Sequence, residues 1–260
     1  MNSSSCYSLV LCEGIYDRAF WAGWLRNNGW DKAEDHPDPY GKQHRKGAFS
    51  YLSSTMNMVV VKPCGGVKQI KSQLSTYVPQ IHKSLNDEFT STQYNTHHII
   101  VSVDNDTRDD SGTPRMSTQA LQDALRESLT ELTSTPYTQI TEPLVHNDQC
   151  SLFDGKCVVS VVRWEAESKL TQGIPAKQTL ERLVCVAMCE AYPERAEVVE
   201  QWLTDKNPKS YAWAYMARWY AEHGCDDFYQ GLWRDEKISE RLKAHLTVSG
   251  AWAVFESLQG

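Results

Sequence analysis

Four short runs of apolar, largely β-branched residues constrain this chain most: Ser8–Cys12, Met58–Val61, Ile99–Val103 and Cys157–Val162. Each has the length and composition of a strand buried on both faces. Between them the spacing turns helical, with Ala19, Phe20, Trp21, Trp24 and Leu25 after the first run, Ile70 and Leu74 after the second, and Ala120, Leu121, Ala124, Leu125 and Leu129 after the third. Strands that alternate with helices build a parallel sheet joined by right-handed crossovers. The expected fold is therefore α/β, with a parallel sheet of about four strands flanked by helices. Residues 27–56, rich in Gly, Pro, Asp, His and Lys, read as a long surface loop. Beyond Gln172 the pattern is helical, with Leu180, Leu183, Val184, Ala187 and Met188 on one face. The expected division is an α/β domain over residues 1–172 and a helical region over residues 173–260.

Composition narrows the setting. Apolar residues make up 41% and charged residues 23% of the 260, the balance of a chain that folds around a core. No apolar run approaches the roughly 18 residues that a membrane crossing needs, and Met1–Ser5 is polar and uncharged, without a leader pattern. The expectation is a cytoplasmic protein with no membrane partner. The eight cysteines are scattered, several lie inside apolar runs, and none forms a Cys-x-x-Cys pair, so they read as reduced thiols rather than disulfides or zinc ligands. A formal charge of -7 opposes unaided binding of a polyanion, so any contact with nucleic acid must be local or shared with a partner.

Chemistry in an open parallel sheet gathers at the carboxyl ends of the strands. Three strands here end in sequence suited to it: Glu13-Gly14-Ile15-Tyr16-Asp17, Pro63-Cys64-Gly65-Gly66-Val67-Lys68 and Asp104-Asn105-Asp106. Carboxylates crowded along one edge repel unless a cation lies between them, which points to a hard divalent ion, Mg2+ or Mn2+, held by oxygens. Asp17, four residues after Glu13, falls in the first turn of the helix, where the dipole favours an anion. Asp104 and Asp106, two apart on an extended chain, share a face. Gly65 and Gly66 permit positive φ and close approach of a phosphate to the amides at the helix start, with Lys68 adding charge nearby.

The order of these motifs resembles the Toprim domain of topoisomerases, bacterial primases, small ribonucleases and the overcoming-lysogenization-defect nucleases. The resemblance covers about Ser8 to Val162. It implies Glu13 as general acid or base, Asp17, Asp104 and Asp106 as metal carboxylates alongside Glu13, Gly65 and Gly66 as the glycine motif, and Lys68 as a further catalytic group. Two departures stand out: Ile15-Tyr16 replaces small or basic residues, and Arg108 holds the third acidic place of the topoisomerase pattern, which Asp109 or Asp110 would have to fill. Glu165, after the fourth strand, is a further candidate acid, and Glu181 resembles a late glutamate of compact members of the family.

Within the resemblance, strand passage and priming need modules this chain lacks. What remains is phosphodiester hydrolysis of DNA or RNA by a metal-dependent nuclease. The competing expectation is a non-catalytic Toprim-like module that binds nucleic acid or a protein partner. No Walker loop is present, so the ATPase that accompanies the Toprim domain in such nucleases is expected as a separate protein, and the resemblance implies a role in anti-phage defence. Tyr211, Tyr215 and Trp219 recur at helical spacing beside Lys209 and Arg218, a pattern of either a base-stacking platform or a core stripe. Trp202, Trp213, Trp219 and Trp233 mark the expected docking surface for a partner. His36, His44, His97 and His98 read as loop and strand-edge residues.

Overall fold

The computed structural model describes residues 5–41, 49–86, 94–105, 117–130, 149–168, 177–202, 208–219 and 224–259, with a few side chains inside the helices excepted. Chain order is β1 (Ser5–Cys12), α1 (Ile15–Asn27), β2 (Asp31–Lys32), β3 (Phe49–Leu52), β4 (Met58–Pro63), α2 (Val67–Asn86), β5 (Tyr94–Asp104), α3 (Thr118–Thr130), β6 (Gln149–Leu152), β7 (Cys157–Trp164), then α4 (Leu180–Ala191), α5 (Pro193–Trp202), α6 (Pro208–Trp219), α7 (Cys225–Arg234), α8 (Glu236–Val248) and α9 (Trp252–Ser257). No described helix is long and apolar enough to cross a membrane.

The four apolar runs are the four central strands, in the order β4-β1-β5-β7, all parallel. Three further strands make the sheet seven-stranded and mixed: β3 and β2 extend it antiparallel beyond β4, and β6 pairs antiparallel with β7. Residues 27–56 are therefore not simply a loop. Phe49–Leu52 lies along β4, with Phe49 opposite Val61 and Leu52 opposite Met58, and this hairpin arm covers what would otherwise be an open edge.

Alternation along the strands divides the core in two. Leu9, Leu11, Val60, Ile99, Val101 and Val159 face α2 and α3, whereas Val10, Cys12, Ile100, Val162 and Trp164 face α1 and the helices from α4 onward. The helical region thus shares one continuous core with α1 and the sheet. Its tightest contact is α1 against α7, where a Cβ on Gly23 would meet the Tyr229 carbonyl carbon at 2.8 Å, so only glycine allows that approach. Aromatic rings interlock there, among them Phe20, Trp21, Trp164 and Phe255, Trp21 stacking on Phe255 with centroids 4.1 Å apart.

Two expectations need correction. His97 and His98 are not loop or edge residues: β5 begins at Tyr94, and both rings are buried in the sheet. Burial pushes each down to about 4, so both are neutral and hydrogen-bonded, His97 to the Tyr40 hydroxyl (2.7 Å) and His98 to Ser160 Oγ (2.8 Å). Trp233 is 4% exposed and donates its indole N–H to the Phe20 carbonyl, so it packs the core and offers nothing to a partner. All eight cysteines are free thiols.

Candidate functional site

Numbered along the chain, the parallel strands stand in the order second, first, third, fourth. The direction of travel reverses between the first and third, β1 and β5, and open sheets bind ligands outside such a switch point. Glu13 follows β1 and Asp104 ends β5. Across the switch the Asp104 main-chain N–H donates to Glu13 Oε1 (3.2 Å).

Asp17 joins them from the third position of α1. Its Oδ2 accepts the Gly14 N–H (3.1 Å), the reciprocal half of a helix cap. Its Oδ1 accepts the Trp164 indole N–H at 2.6 Å. From the helical region comes α4, whose Leu180 N–H donates to Asp104 Oδ1 (3.1 Å). The positive end of that helix therefore meets the acid. Thr179 caps the helix through the Arg182 N–H, and Arg182 Nε in turn donates to the Ala166 carbonyl. This stitching carries Glu181 to the same edge.

The electrostatics mark the four acids as one group. Asp17 is pushed up to about 7, chiefly by burial, with Glu181 and Glu13 adding to the rise against the Trp164 hydrogen bond. Asp104 is pushed up to about 8 by burial first, then by Asp17, with Glu13 and Glu181 contributing. Glu13 and Glu181 raise both aspartates and Asp17 raises Asp104, and oxygen donors in such excess fit a hard divalent cation. Among the described residues, however, no three His, Cys, Asp or Glu side chains close into a cage around one ion. Asp106, Asp109 and Asp110 lie outside the described residues.

The other sequence-derived candidates divide. Gly65 and Gly66 have φ of 85° and 109°, the left-handed conformations expected of them. Their amides, however, both turn onto the Glu13 carbonyl (2.8 and 3.1 Å). In this conformation they tie β4 to β1 instead of cradling a phosphate. The first amides of α2, those of Val67 and Lys68, have no intrahelical acceptor by the geometry of any helix start, and the Lys68 side chain is exposed. Glu165 is half-buried at the same edge, and its Oε2 accepts from Asn105 Nδ2 (2.6 Å). Sequence reasoning passed over Trp164, Asn105 and the capping residue Thr179; a threonine one residue before Leu180-Glu181 was the available signal.

The aromatic stripe of α6 is core on one side: Tyr215 is fully buried, and Trp219 packs against it at 4.6 Å. Arg195 lies over both Tyr192 (3.7 Å) and Trp219 (5.2 Å), which occupies one face of the Trp219 ring. The side chains of Trp202, Tyr211 and Trp213 lie outside the described residues.

No protein-family model matches this chain, and no curated protein does. Among solved structures it is similar to a hypothetical protein from Pyrococcus horikoshii OT3, with a TM-score of 0.65 over 98% of this chain and 99% of that one, at 15% identity. The likeness is one of fold, and it runs the full length of both chains.

Proposed function

We propose that this chain is a divalent-metal-dependent nuclease of the Toprim type, hydrolysing phosphodiester bonds in DNA or RNA. One observation carries the reading: Glu13 and Asp104 close the two strands of the switch point, the Asp104 main-chain N–H donating to the Glu13 carboxylate, with Asp17 and Glu181 crowded beside them. Motif order supports it, since Glu13-Gly14-Ile15-Tyr16-Asp17, Gly65-Gly66 and Asp104-Asn105-Asp106 follow the Toprim sequence of acids and glycines.

Glu13, Asp104 and Glu181, with Asp17 and the neighbouring Asp106, would hold Mg2+ or Mn2+. Such an ion supplies Lewis acidity to an attacking water and to the leaving oxygen. Glu13, half-buried at the edge, moves the proton. The start of α2 with Lys68 receives a phosphate of the substrate backbone. The charge of -7 repels that backbone at long range, so a separate protein, an ATPase by the Toprim resemblance, recruits the nuclease or restrains it, in keeping with an effector of bacterial anti-phage defence acting in the cytoplasm.

A non-catalytic binding module is the second reading. It is favoured by the internal donors that already hold both Asp17 oxygens and by the lack of a closed three-acid cage among the described residues. Glu13→Gln separates the two, because an amide keeps the shape and removes the proton acceptor. The nuclease reading expects Mn2+-dependent cleavage of a mixed DNA and RNA substrate set by the wild type, reduced about a hundred- to ten-thousand-fold in the folded variant. Equal cleavage by both proteins removes Glu13 from the mechanism, and no cleavage by wild type, alone or with its co-purifying partner, favours the module.

A further inference from the structure

The geometry points to Trp164 as a positioning residue for the metal site, acting through Asp17. The inference rests on the metal-site reading above. Trp164 is the last residue of β7, in parallel register with Asp104, and register partners in a parallel sheet present their side chains to the same face. It is fully buried, yet its single polar atom reaches Asp17 Oδ1 at 2.6 Å. One ring thus flanks one acid through the sheet and grips the other through a hydrogen bond.

The grip is directional. A carboxylate held on Oδ1 by the indole and on Oδ2 by the Gly14 amide cannot rotate without losing both bonds, and each oxygen keeps a second lone pair for an ion. The indole cannot turn away either, because Phe20 packs edge-on against it at 5.2 Å, with Trp21 at 6.1 Å and Phe255 at 6.5 Å. Phe255 belongs to α9, so the last helix of the chain helps set the orientation of an acid in the first helix. Groups that orient a ligating carboxylate typically change metal affinity by about 10- to 100-fold when removed.

A plain packing role makes a different forecast, and Trp21 supplies the control. Its indole is equally buried in the same cluster, but donates to Ser102 Oγ (3.0 Å) rather than to an acid. Trp164→Phe and Trp21→Phe each delete one indole N–H and comparable packing. The experiment follows melting temperature across a Mn2+ titration of the full-length protein and takes the half-saturating Mn2+ concentration. Trp164→Phe is expected to raise it at least tenfold, Trp21→Phe to leave it within about twofold, and Trp164→Phe in an Asp17→Asn background to add nothing further, the signature of a shared interaction. If Trp164→Phe titrates like wild type, Trp164 is packing alone while the metal site stands. If wild type shows no Mn2+ response, the metal reading fails and this assignment with it. Should Trp164→Phe not fold, the indole N–H spectrum of wild type decides: the Trp164 resonance moves with Mg2+ and does not in Asp17→Asn, and a resonance indifferent to Mg2+ overturns the assignment.

Discussion

Two clusters built around carboxylates sit on opposite faces of the same sheet, one around the half-buried Asp38 and one around Asp17 and Asp104, and they treat a carboxylate withdrawn from water in opposite ways. On the α2 face, Asp38 accepts from the Tyr7 hydroxyl (2.8 Å), the Tyr40 amide (3.1 Å) and the Tyr77 hydroxyl, and Lys62 Nζ donates to that same Tyr77 oxygen at 3.0 Å. Its surroundings are neutral donors with a cation one bond away. On the α1 face, Asp17 and Asp104 are surrounded by each other, Glu13 and Glu181. An acid given donors and a counter-charge is a structural clamp, whereas acids crowded with acids must take up protons or a cation. Burial alone does not tell a site from a staple; the sign of the neighbours does.

This contrast can be broken by experiment, and the largest effect is expected at Asp38. Asp38→Ala removes the acceptor of the Tyr7 and Tyr77 hydroxyls and of the Tyr40 amide, which costs about 3 kcal/mol. A melting temperature lowered by roughly 6–12 °C, with the Mn2+ response intact, is the expected result. An unchanged melting temperature would make the Asp38 network ornamental.

Asp104→Asn should behave in the opposite sense. Asparagine keeps an oxygen for the Leu180 amide and removes one titrating carboxyl from the crowd. The metal-free variant is therefore expected to melt within about 1 kcal/mol of wild type, or above it, and to lose the rise in melting temperature that Mn2+ gives wild type. Strong destabilisation of metal-free Asp104→Asn would show that the cluster is internally balanced after all.

The mildest test is pH. Asp17 at about 7 and Asp104 at about 8 lie above the unfolded carboxyl value near 4, so between those limits the folded state binds more protons than the unfolded one. Stability from these groups is fully present below about pH 4 and is lost as pH rises through about 7 and 8. Calorimetry of the metal-free protein is expected to show melting temperature falling from about pH 5.5 to 8.5, a slope flattened by Asp104→Asn and by saturating Mn2+. A melting temperature that climbs over that range would contradict the crowding.

Much of this arrangement was legible from local pattern. The four central strands announced themselves because a strand buried on both faces must be apolar throughout, and Glu13, Asp17 and Asp104 followed from where those strands end. β2, β3 and β6 escaped because two to four residues carry too little periodicity, and because the edge strands β2 and β6 keep polar positions, as Asp31 and Ser151 do. The Asp38 clamp was invisible for another reason: Tyr7 is in β1, Tyr77 in α2 and Asp38 in the connection between β2 and β3, and only the tertiary fold makes them neighbours. Trp164 read as the end of a strand, since nothing in a linear pattern says that its indole finds a carboxylate 147 residues away.

The close pairing of α1 with α7 sets a timetable for synthesis. Phe20 and Trp233 are 213 residues apart, and at about 5–20 residues per second a ribosome needs roughly 10–40 s to span that interval. Throughout it the broad apolar side of α1, with Phe20 and Trp24, has no final partner, and the strands at its back are still being added. Contacts this distant in sequence form late and slowly. The apolar side of α1 in a nascent chain of this kind waits for α7 to emerge, and any pause in translation before α7 prolongs its exposure to aggregation.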